Sequence, residues 1–133
     1  MSIEASVVVD IIDVHPTGTL QIRFLKRLRD TVNGEVVEGW HRTTVDPGVN
    51  PAQQIAAVSA HLQSMGLPAI IEAEAAAIRA AQQAKPGTLA FKRDRSEPVR
   101  AVVDATDTRT LDERRAEAFP GTRITQSEPN PRR

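Results

Sequence analysis

The sequence predicts an α+β fold: a three-stranded antiparallel β-meander packed with a helical hairpin, followed by an extended C-terminal arm. Three observations carry this expectation. A run rich in Val and Ile precedes a segment in which apolar and polar side chains alternate. An Asn-Gly pair separates that segment from a third extended one. From Asn50 onward the apolar spacing changes from two residues to three and four.

The first strand is Ser6–Val14. Val7, Val9 and Ile11 fall on one face and Val8, Ile12 and Val14 on the other, as in a strand covered on both sides. Asp10 and Asp13 are three apart on it, so simple alternation sends them to opposite faces and they form no carboxylate pair. His15-Pro16-Thr17-Gly18 is a turn, Pro setting φ and Gly supplying a positive φ. From Thr19, Leu20, Ile22 and Phe24 point inward while Thr19, Gln21 and Arg23 point outward. Asn33-Gly34 then turns the chain into a third strand, Glu35–Val45, and the meander spans 5–45.

Asn50-Pro51-Ala52-Gln53 places a capping residue before a proline at the first helical position, with Gln closing a capping box. Ile55, Val58, Leu62 and Met65 recur at helical spacing, and Gly66 stands at the C-cap, giving a helix over about 51–65. Pro68 opens a second, alanine-rich helix over 68–84 that Lys85-Pro86-Gly87 stops. Residues 1–84 thus form a small α+β domain. Composition changes there: 1–84 holds 6 basic and 9 acidic residues, net −3, and 85–133 holds 11 and 8, net +3, with few large apolar side chains. The second part reads as a basic, weakly hydrophobic arm, mostly disordered when free, because so few apolar groups cannot offset the ordering entropy. Within it Thr88–Lys92 and Val99–Val103 are candidate short strands. Thr110-Leu111-Asp112-Glu113 is a capping box opening a helix to about Phe119.

Composition bounds the function. The chain has 133 residues, 17 basic against 17 acidic, and no cysteine, so disulfide scaffolds and thiolate metal sites are excluded. Zero net charge removes the simple electrostatic case for a nucleic-acid or membrane-surface binder. The start, broken by Asp10 and Asp13, reads as neither a signal peptide nor a membrane span. Three histidines, His15, His41 and His61, lie apart in sequence and read as surface or rim residues, so no metal site is expected. No nucleophile elbow and no phosphate-cradling loop occur, so the expectation is not an enzyme, with no cofactor.

The candidates for partner contact are Trp40, Phe91, Phe119, Arg23 and Arg27. A lone Trp is expected as core filler between sheet and helix; exposed, it becomes the first interface anchor. Phe91 and Phe119, the aromatics of the arm, suit docking of an extended segment onto another protein. Arg23, Lys26, Arg27 and Arg29 form a basic cluster on the second strand. It reads as an exposed face protected by charge from edge aggregation, or alternatively as a phosphate- or partner-contacting face.

The order of segments resembles a known group. V-V-D-I-I-D-V-H-P-T-G-T-L-Q-I-R-F leads to G-W-H-R-T-T-V-D-P-G (Gly39–Gly48) and then to A-A-V-S-A-H-L-Q-S-M-G-L-P-A (Ala56–Ala69). This is similar to small tail-module proteins, tail-tip or tail-fibre-associated, of tailed bacteriophages and prophages, over residues 5–84. The resemblance implies a structural virion protein in the tail, made in the bacterial host cytoplasm and docking on a tail-tip or fibre protein. It further implies a homo-oligomer, a trimer or ring, laced to its neighbours by the arm. Two other readings stay open: a non-virion phage accessory or fibre-assembly binding module, and a small nucleic-acid-binding regulator.

Overall fold

One strand organises the molecule, and its neighbours come from both ends of the sequence. The computed structural model describes residues 3–94, 102–103 and 109–119. Its elements are β1 (Ile3–Val14), β2 (Leu20–Asp30), β3 (Val36–Val45), α1 (Ala52–Ser64), α2 (Glu72–Ala81), β4 (Leu89–Lys92), β5 (Val102–Val103) and α3 (Leu111–Ala118). The chain is α+β, with one antiparallel sheet in the order β3-β2-β1-β4; β5 also pairs with β1.

The register explains which side chains are buried. Val14, Ile12, Val9 and Ala5 of β1 face Leu20, Ile22, Phe24 and Leu28 of β2, and Val45 and Val37 of β3 continue the row. These residues share a core with Val58 and Leu62 of α1, Ile78 and Ala81 of α2, and Leu111, Ala118 and Phe119 at α3. All three helices therefore cover the same face of the sheet. Val8, Leu25 and Val36 are buried on the opposite face.

Where it is described, the segment read as an arm holds the short strands and the capped helix that its sequence offers, and both strands pair with β1 of the same chain. After the Pro86-Gly87 turn, the Val14 N–H donates to the Thr88 carbonyl and the Gly87 N–H to the Val14 carbonyl, both at 2.8 Å. Leu89–Lys92 then runs antiparallel to the second half of β1, and Val102–Val103 pairs with Glu4 and Ala5 at its beginning. In a three-stranded meander β1 would be an edge, with its apolar faces and backbone groups half open to water. Pairing the second edge satisfies those groups, a gain that counting large apolar side chains does not register. Residues 95–101, 104–108 and 120–133 of the expected arm lie outside the described residues.

Helix ends follow the expectation unevenly. Thr110 caps α3 as the sequence predicts: its hydroxyl accepts from the Glu113 N–H at 3.2 Å, and Glu113 Oε1 accepts from the Thr110 N–H at 2.8 Å. At α1, Asn50 Oδ1 accepts from the Ala52 N–H at 2.9 Å, without the reciprocal bond from Gln53. The second helix begins at Glu72 rather than Pro68. The Ile70 N–H is taken by Ser59 Oγ at 3.1 Å, which ties residues 68–71 to α1 before the helix starts.

Two departures from regular pairing fix the centre of β1. The register slips between Val9 and Ile11, so Asp10 stands opposite no residue of β2 in the register and forms a β-bulge. A buried carboxylate from α2 meets it there: Glu74 Oε1 accepts from the Val9 N–H at 2.8 Å and from Arg93 Nη2 at 2.6 Å. Arg93 also donates from Nε to the Val9 carbonyl at 2.7 Å and from its backbone N–H to the Asp10 carbonyl at 2.8 Å. The residue just beyond β4 is thus fastened to β1 and to α2 at one point.

Candidate interaction surface

The face of the sheet away from the helices carries the concentrated polar chemistry, and the bulge creates it. Because Asp10 is the extra residue, the alternation resets after it. Asp13, opposite Gln21, and the Asp10 side chain both lie on this outer face. The expectation that the two aspartates project to opposite faces fails for this reason, since strict alternation does not survive an inserted residue.

Asp10 is 2 % exposed and anchors two neighbouring strands. Its Oδ2 accepts from Arg23 Nε at 3.0 Å, from Arg23 Nη2 at 2.7 Å and from Trp40 Nε1 at 3.3 Å. The Arg23 guanidinium lies 5.3 Å from the Trp40 ring centroid. Three residues from three strands therefore form one unit in which a carboxylate holds both an arginine and an indole.

Trp40 does not fill the core. It stands at the surface, 46 % exposed, because the register places it opposite Leu25 on the face without helices. On β3 that face also carries Glu38 and Arg42. A groove of about 610 Å³ follows the surface, lined by Ile11, Asp13, Gln21, Arg23, Arg42 and Thr44 among others. Arg42 stands directly opposite Arg23. It is exposed and has no hydrogen-bond or ion-pair partner among the described residues.

The basic cluster of β2 is divided between the two faces. On the outer face each arginine meets a carboxylate: Arg23 meets Asp10 at 2.7 Å, Arg27 meets Glu38 at 3.5 Å, and Arg29 meets Glu4 at 3.0 Å. Lys26 turns to the helix face, where burial pulls its pKa down and its Nζ lies 4.9 Å from the Phe119 ring centroid. Alternation along the strand separates it from the arginines.

Both phenylalanines of the C-terminal part are used within the chain. Phe119 is 3 % exposed and packs against β3 where Gly39 has no side chain. Phe91 is half-buried against the core, with the Arg93 guanidinium 5.5 Å from its ring centroid. Of the five candidates, Trp40 and Arg23 form one site, Arg27 sits beside it through Glu38, and the two phenylalanines belong to the packing.

Two histidines distant in sequence meet on the helix face. The His41 and His61 rings lie 5.3 Å apart between β3 and α1, and Gln54 Nε2 donates to Thr43 Oγ1 one residue pair away. Burial, then His61 and Lys26, hold the His41 pKa below its ordinary value. Among the described residues no group of three or more His, Cys, Asp or Glu side chains is placed to hold a metal ion. No described helix is long and apolar enough to cross a membrane.

Sequence reasoning did not find the Asp10–Arg23–Trp40 unit, although its signal is visible. Asp10 interrupts an apolar run in a strand whose neighbour carries an unusual density of arginine. The unit leaves an aromatic, held at its indole N–H, exposed beside Arg42, a cation with no partner among the described residues. No protein-family model matches the chain, and comparisons with curated proteins and with solved structures find no similar one.

Proposed function

We propose that this chain is a structural, protein-binding component of a phage tail. In this reading the meander with its two helices is a rigid module at the tail tip or fibres. It joins neighbouring subunits in a homo-oligomer, a trimer or ring. The protein is made in the host cytoplasm and ends in the virion. The tail assignment rests on the resemblance of residues 5–84. The observation that carries the binding role is Trp40: a large aromatic exposed on the terminal strand, its indole N–H held by buried Asp10 and one flank covered by Arg23. An aromatic whose rotamer is already fixed loses little entropy when a partner covers it, which is how interface anchors work. The nucleic-acid reading is weaker on this surface, because Arg23 and Arg29 are each hydrogen-bonded to a carboxylate and Arg27 lies beside Glu38.

Mass analysis of washed phage particles carrying wild-type or Trp40→Ala protein tests the proposal. The wild-type chain is expected in stoichiometric amount, and the variant, folded by circular dichroism, is expected to be depleted at least about tenfold. Absence of the wild-type chain from particles, or full incorporation of the variant, overturns it.

A further inference from the structure

β3 ends the sheet on one side, and among the described residues no strand pairs with its outer edge. A ten-residue edge strand is a template for a further strand unless its side chains forbid pairing. Here the side chains select a partner. When a strand pairs with a second copy of itself about a two-fold axis, the strands are antiparallel and one residue faces its own equivalent. Residues equally spaced on either side of that centre then face each other. Centred on Glu38, the pairing opposes two carboxylates; centred on Arg42, it opposes two guanidinium groups. Centred on Gly39 or His41, it sets neither charge against its opposite. Centred on Trp40, it sets Glu38 of each copy against Arg42 of the other, twice across the axis, on the face where both side chains already lie.

We infer that β3 is the contact by which two copies of this chain join, in the register that places Trp40 against Trp40. The charges favour it. Arg42 lacks a partner among the described residues, and Glu38 is only loosely held by Arg27, at 3.5 Å with Arg27 Nε making no hydrogen bond. The pairing supplies Arg42 with a carboxylate, gives Glu38 a second cation, covers the exposed indole, and joins two sheets into one. Both helix layers then lie on the same side. The inference deepens the reading of the chain as an assembly protein and rests on it for its role; within a ring, such a contact joins two rings face to face.

The 133-residue chain carries its own test. Sedimentation velocity over a concentration series is expected to show a monomer–dimer equilibrium that weakens with added salt. The emission of Trp40, the chain's one tryptophan, is expected to shift to the blue as dimer forms. Glu38→Arg and Arg42→Glu each place like charges opposite at two positions and are expected to weaken dimerisation about tenfold or more. The double exchange E38R/R42E restores opposite charges and is expected to recover most of the loss. A wild-type chain that stays monomeric at about 100 times a micromolar dissociation constant overturns the inference. So does a dimer in which the double variant is as weak as the sum of the two single ones. A dimer missing from washed particles would defeat only the tail assignment, and a particle-bound chain monomeric in solution would defeat only this contact.

Discussion

Replacing Glu74 by Ala removes the α2 side chain that holds both β1 and the residue after β4. Its carboxylate accepts from the Val9 N–H and from Arg93 Nη2, and the side chains of Glu74 and Arg93 are only 8 % and 15 % exposed. The variant leaves a largely buried guanidinium without its anion and a bulge N–H without an acceptor. Breaking a buried pair from one side costs about 3–5 kcal/mol, far more than deleting a surface pair. For a chain of this size that corresponds to a fall in Tm of about 10–20 °C. Thermal and urea unfolding of Glu74→Ala, Arg93→Ala and the double variant measure it. The double variant is expected to be well short of additive, with a coupling of about 1–3 kcal/mol, because the second truncation removes the orphan left by the first. Amide exchange should locate the loss at β1 and β4, whose protection falls together. A cost below about 1 kcal/mol with no coupling refutes the reasoning, and Arg93 would then find water as readily as it finds Glu74.

Two further predictions concern the helix face. The His41 pKa lies below the ordinary 6.5 through burial first and then His61 and Lys26, so the unfolded chain takes up its proton at higher pH than the folded one. Stability is therefore full above about pH 6.5 and falls as pH drops through the region between the two values; His41→Gln should flatten that slope in a Tm series from about pH 7 to about pH 5. Gly39→Ala should destabilise by about 1–3 kcal/mol, because its Cβ would lie 2.9 Å from Phe119 Cδ2 and 3.2 Å from Cε2. Denaturant unfolding reads that loss; a neutral Gly39→Ala, or one equally harmful beside Phe119→Leu, shows that the ring is not the obstacle.

What short-range chemistry controls is legible in the residues alone. Strand chemistry before Asn50, helix chemistry after it and the α+β class are legible in the spacing of Val, Ile and Leu. The Thr110 capping box is legible because all its atoms lie within four residues. Tertiary structure decided what depends on pairing across the chain. Thr88–Lys92 and Val99–Val103 read as candidate strands without a partner; Leu89–Lys92 and Val102–Val103 find theirs at the open edge of β1, through backbone groups that carry no residue-specific signal. Trp40 reads as core by size, yet its place on β3 relative to β2 puts it on the uncovered face. Asp10 reads as one of two aspartates on opposite faces of a regular strand, yet the bulge makes it the acceptor for Arg23 and Trp40; its interruption of the apolar run marks the place without showing that the register slips there. Periodicity tells which side chains share a face; only the partner strands decide which face is covered, and that decision sets Trp40 and Arg42 at the surface.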